Sequence, residues 1–142
     1  MDAPQAVTAL FAENLTTNTG TPEWWLNQHF PAATDFAVAA LADADGEGVP
    51  NWSEYIADTD PNNAASYFHA VAVSNLSGRV AVSFQSSSGR NYGLEACTNL
   101  ATRIWVGVDG QPHVPGTGGV QALIDTNRTG TARFYRLRVG FP

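Results

Sequence analysis

The stretch "DTDPNNAASYFHAVAVS", Asp58 to Ser74, contains the point at which the chain changes its hydrophobic period. Pro61 has no N–H and cannot continue a helix, so whatever helix precedes it must stop near Asp58. Beyond residue 65 the apolar residues recur every second position, as a half-buried strand requires. The two sides of this stretch therefore belong to different kinds of structure.

Upstream, three short segments carry helical spacing. "TPEWWLNQHF" offers Thr21 as an N-cap and Pro22 at the first helical position. "TDFAVAALA" offers Thr34 as a cap and Asp35 in the first turn, with Phe36, Ala39 and Ala40 on one face. "WSEYIA" is a third, ending before Pro61. Downstream, "FHAVAVS", "RVAVSFQ", "NYGLEAC", "IWVGV", "VQALID" and "RFYRLRV" read as strands separated by Gly, Ser, Asn and Pro. Val80, Val82 and Phe84 share a face, as do Tyr92, Leu94 and Ala96, and Tyr135, Leu137 and Val139. Such strands need a second sheet to cover their apolar faces. The expected fold is α+β: short N-terminal helices, then a small antiparallel β-sandwich of about six strands. Residues 1–20 form an N-terminal segment, 21–64 a helical region and 65–142 the sandwich.

Charge follows the same division. Residues 1–78 hold ten acidic residues and no Lys or Arg, whereas 79–142 hold three acidic residues and seven arginines, giving a net −6. Ten carboxylates without a basic neighbour must be offset by solvent, by cations or by the other half. The acidity disfavours nucleic acid as a partner, and Arg133, Arg136 and Arg138 are expected to face solvent or the acidic half. No apolar run is long enough to span a membrane. One cysteine, Cys97, leaves no intrachain disulfide and reads as a small strand side chain. The start, "MDAPQAVTALF", lacks the basic and apolar regions of a signal peptide, so a secreted form would be a mature fragment.

Between the second and third helical segments lies "DADGEGVPNWSEY", Asp43 to Tyr55. Numbered as a twelve-residue EF-hand calcium loop, it places Asp43, Asp45, Glu47, Asn51 and Glu54 at the side-chain ligand positions 1, 3, 5, 9 and 12. Gly48 takes the sharp turn at position 6 and Val49 offers its carbonyl at position 7. Calcium wants six to eight oxygens around one point, which this spacing supplies, whereas magnesium demands a stricter octahedron. Like charges about 4 Å apart repel by roughly 1–4 kcal/mol per pair, and a divalent cation removes that cost. Glu47 is longer than the usual Asp and must fold back to reach the ion. Pro50 blocks the short strand pairing of twinned loops, and no twin is present. The other readings are a spent loop held by its own hydrogen bonds and a plain acidic turn.

"PEWWLNQHF" followed by "ADADGEGVPNWSEYIADTDPNNAAS" resembles a C-terminal segment of large secreted proteins from Verrucomicrobia and related bacteria. Its acidic loop is similar to those of dockerins and thrombospondin type 3 repeats. "SGRNYGLEACTNLATRIW" and "RFYRLRV" resemble the small β-sandwich that often trails it. The resemblance implies a secreted or cell-surface accessory module with Ca2+ as a structural ion, held by Asp43, Asp45, Glu47, Asn51, Glu54 and the Val49 carbonyl. Asp58 stands where that family usually has Gly, which bears on how the exit helix ends.

Catalysis is not expected. His29, His69 and His113 lie in separate contexts, with no HExxH pair and no nucleophile elbow. Carbohydrate binding is the main alternative: Trp24, Trp52, Tyr67 and Tyr135 could offer flat faces, with Trp25 and Trp105 as the candidate sugar platforms. A surface-anchoring or assembly role is a third, and a polysaccharide or a cell-envelope component would then be the partner.

Overall fold

The computed structural model describes residues 12–127 and 132–142. The stretch examined for a leader, residues 1–11, lies outside them. Three helices come first: α1 (Glu23–His29), α2 (Phe36–Leu41) and α3 (Asn51–Ala57). Each has six or seven residues, well below the roughly 12–15 at which an isolated helix is even marginal, so packing must hold them. Trp25, Leu26 and Ala40 are buried together, with Phe30, Phe36, Ala39, Trp52 and Tyr55 packed around them.

The helix starts differ from the sequence expectation by one residue each. Thr21 does not cap α1; it is buried, its backbone bonded to Thr16 and its hydroxyl to Thr19, and Pro22 occupies the cap with an extended backbone. Residues 14–20 are thus part of the helical region: Glu23 N–H donates to Asn14 and the Asn18 amide donates to the Ala37 carbonyl. In α2 the cap is Asp35 rather than Thr34, because its carboxylate accepts from Ala37 N–H at 2.9 Å and Val38 N–H at 3.1 Å. Asp35→Ala should therefore cost about 1 kcal/mol in urea unfolding, with Thr34→Ala close to neutral.

Seven strands follow: β1 (Ala70–Leu76), β2 (Arg79–Gln85), β3 (Asn91–Cys97), β4 (Val106–Gly107), β5 (Val114–Pro115), β6 (Val120–Asp125) and β7 (Phe134–Gly140). One antiparallel sheet has the order β1-β2-β6. In the other, β3 pairs with β7 along its length, with β4 at its C-terminal end and β5 at its N-terminal end. The short β5 is not among the strands expected from the sequence.

One hydrophobic core draws on both sheets: Val80, Val82 and Phe84 from β2, Tyr92, Leu94 and Ala96 from β3, and Leu123 from β6, with Val108. Tyr135, Leu137 and Val139 of β7 pack against it. The three expected faces are thus the inward ones. β1 differs, since Val71 and Val73 are exposed although Val73 sits opposite the buried Val82. β1 is an outer strand of its sheet, and none of its described residues is among those of the buried core.

The helices and sheets meet at Arg90. Its guanidinium donates to the Tyr55 carbonyl at 2.7 Å and the Ile56 carbonyl at 2.7 Å, lies 3.5 Å from the Asp58 carboxylate, and stacks 4.5 Å from the Phe141 ring. The loop carrying Arg90 is held by its neighbour, for Gly116 N–H donates to the Arg90 carbonyl. A Cβ on Gly116 would lie 2.0 Å from the Ser87 carbonyl oxygen, so only glycine allows that approach. The arginine-rich half therefore reaches the acidic half through Arg90. Arg136 and Arg138 instead pair with Glu95 on the adjacent strand, and Arg133 pairs with Asp125.

Candidate metal centre

The loop between α2 and α3 is shaped first by its own backbone. Asp43 accepts from Gly46 N–H and Gly48 N–H, each at 2.8 Å, which winds the chain around its carboxylate. Gly48 has φ +96°, a conformation that side-chain-bearing residues rarely adopt, as expected for position 6. With the loop so wound, ligand oxygens of Asp43, Asp45 and Glu47 lie within 4.8 Å of one another. Glu47 does fold back into the cluster despite its extra methylene. Among the described residues this is the one group of three or more His, Cys, Asp or Glu side chains so arranged.

The exit helix delivers Glu54, which is fully buried. One of its oxygens accepts from the Thr59 hydroxyl at 3.3 Å. The other has no donor among the described residues, and neither do the carboxylate oxygens of Asp45 and Glu47. Burial, then the nearby charge of Asp45, raises the Glu54 pKa from 4.5 to about 7, with Asp43 and Asp60 adding to the rise and Thr59 opposing it. Buried carboxylate oxygens without donors are costly, so this arrangement calls for a cation or for protons.

Asn51 is used differently from a simple ligand. Its amide nitrogen donates to the Ala39 carbonyl at 2.8 Å and its amide oxygen accepts from Ala44 N–H at 3.3 Å. It is buried and ties α2, the loop and α3 together, helped by Asn51 N–H on the Ala42 carbonyl. Val49 is half-buried in the turn before α3. The loop thus brings together the three early acids, leaves Glu54 outside that group though near enough to feel the charge of Asp45, and spends the Asn51 side chain on the backbone.

Sequence reasoning singled out Asp58 at the end of α3 but missed its partners. Asp58 adopts the left-handed conformation, φ 61° and ψ 43°, where glycine would be strain-free. Its carboxylate receives the Ser87 hydroxyl and faces Arg90. The signal was present in part, for an Asp where Gly would relieve the backbone marks a position held by something else.

The two tryptophans proposed as sugar platforms are not open faces. Trp25 is buried between the rings of His29, 4.5 Å away, and Tyr55, 5.3 Å away. Trp105 is half-buried and the Arg136 guanidinium covers its ring at 4.6 Å. Trp105 also precedes β4 rather than lying within a long strand.

Comparison of the chain with protein-family models, with curated proteins and with solved structures finds no match.

Proposed function

We propose that the loop from Asp43 to Glu54 binds one Ca2+ as a structural ion, and that the chain is a non-catalytic accessory module whose two sheets form a small β-sandwich. The observation that carries this reading is the set of buried carboxylate oxygens on Asp45, Glu47 and Glu54 without hydrogen-bond donors, beside an Asp43 carboxylate already placed by the loop backbone. Oxygen ligands alone, with no nitrogen or sulfur among them, suit a hard cation. Asp43, Asp45, Glu47 and Glu54 would supply charge, with the Val49 carbonyl completing the loop side.

The ion's role follows from where the loop sits. It joins α2 to α3, and α3 carries the carbonyls that Arg90 clamps. Neutralising the loop therefore steadies the helix that docks on the sheets. A single loop of this kind suits a secreted or cell-surface setting, where modules bind calcium with Kd on the order of 10⁻⁴–10⁻³ M. The reading is tested by terbium luminescence, with excitation through Trp52 and Tyr55 beside the loop. Saturation at one ion per chain, competed away by calcium and lost in Asp45→Asn, is expected. An undiminished signal in Asp45→Asn and Glu54→Gln would refute it.

A further inference from the structure

A second concave site lies at the joint between the end of α3 and the β1-β2-β6 sheet. It encloses about 320 Å3, at the lower end of the roughly 300–1,000 Å3 typical of small-molecule sites. Phe68, Tyr92, Tyr67 and His69 are among the residues that line it. These last two rings stack on each other at 4.3 Å and 28°, and both residues are exposed. The pair is held in place, because His69 Nδ1 lies 2.9 Å from the Tyr67 carbonyl oxygen. A carbonyl only accepts, so Nδ1 carries the proton and Nε2 is left as an acceptor in the neutral ring. Asp58 and Ser87 line the same cleft.

We propose that this cleft binds a pyranose ring of a neutral glycan. A flat ring with C–H bonds on one face and hydroxyls around its rim matches what the cleft offers. The Tyr67–His69 pair provides a preorganised apolar face, so little side-chain freedom is lost on binding. The Asp58 carboxylate, half-exposed and with lone pairs beyond those given to Ser87 and Arg90, accepts from adjacent ring hydroxyls. Nucleotides and acidic sugars stack equally well, but a carboxylate at the rim and a net charge of −6 repel them. The cleft contains none of the loop acids, so the two sites share no ligand residue.

Native affinity electrophoresis with excess CaCl2 tests the proposal, using xyloglucan, mixed-linkage β-glucan, galactomannan, arabinoxylan and dextran as probes and polygalacturonate as the acidic control. Retardation on at least one neutral polysaccharide is expected. Tyr67→Ala should weaken that binding by about tenfold or more, while Tyr67→Phe and Trp24→Ala, the latter at an exposed α1 residue outside the cleft, leave it within about twofold. Because Tyr67 is exposed, these variants should keep the wild-type circular dichroism spectrum and melting curve. No retardation on any neutral polysaccharide, retardation that survives Tyr67→Ala, or stronger retardation on polygalacturonate than on every neutral polysaccharide would each overturn it.

Discussion

Calcium at a hundredfold excess over its Kd should raise the melting temperature at pH 8 by roughly 10 °C relative to protein in EGTA. Such an excess stabilises a folded state that alone binds the ion by about 2.7 kcal/mol, and a chain of this size shifts by a few degrees per kcal/mol. The effect should depend on pH in a specific direction. The pKa of Glu54 is raised in the folded, ion-free protein to about 7, so the folded state holds this proton more tightly than the unfolded chain. Its protonation therefore stabilises fully below about pH 4.5, and that contribution fades as the pH rises through 7. The pKa difference corresponds to a loss on the order of 3 kcal/mol. Ion binding needs the ionised carboxylate, so calcium affinity rises over the same window.

The melting temperatures with and without calcium should accordingly draw together toward pH 5 and separate toward pH 8. Glu54→Gln sharpens the test, because it removes the buried charge and a proposed calcium ligand at once. At pH 8 in EGTA this variant should melt above the wild type, yet gain little from calcium. Scanning calorimetry across this range checks both. A calcium-induced shift that is the same at pH 5.5 and pH 8, or one retained in full by Glu54→Gln, would refute the assignment of this carboxylate.

The second large effect is expected at Arg90. Its guanidinium serves two backbone carbonyls at the end of α3, faces Asp58 and packs against Phe141. Arg90→Ala leaves those carbonyls without their donors and opens the contact between helices and sheets, so it should cost on the order of 2–4 kcal/mol in urea unfolding. That is a large share of the roughly 5–15 kcal/mol that holds most domains together. Arg90→Lys should recover little, since a single ammonium cannot span both carbonyls in one plane or stack on the ring. A loss under about 0.5 kcal/mol in Arg90→Ala, typical of an ordinary surface position, would show that the joint does not depend on this residue.

Much of the fold was legible because it rests on local rules. The switch of period after Pro61 separated helices from strands, and alternation identified the inward faces of β2, β3 and β7. It failed for β1, whose "AVAV" pattern resembles that of β2 but whose Val71 and Val73 stay exposed. Alternation reports which residues share a face, and whether anything covers that face depends on the strand's place in the sheet. The helix starts were displaced for a related reason: Thr and Asp are both good caps, and which one reaches the N–H groups depends on backbone geometry.

The candidate site shows the same division. Spacing alone pointed to Asp43, Asp45 and Glu47, which the fold does bring together, because an acidic loop is local in sequence. Tertiary structure decided the rest. Asn51 turned to the backbone of α2, Trp25 sank into the helical cluster, and Trp105 received Arg136 from β7. Arg90 is more than 30 residues from the carbonyls it serves, and no periodicity links positions that far apart. The sequence by itself determined the order of elements and the acidic loop, since both follow from neighbours along the chain. Only the folded chain decided which arginine bridges the two halves and which aromatics remain open, because those depend on surfaces that meet after the backbone has closed.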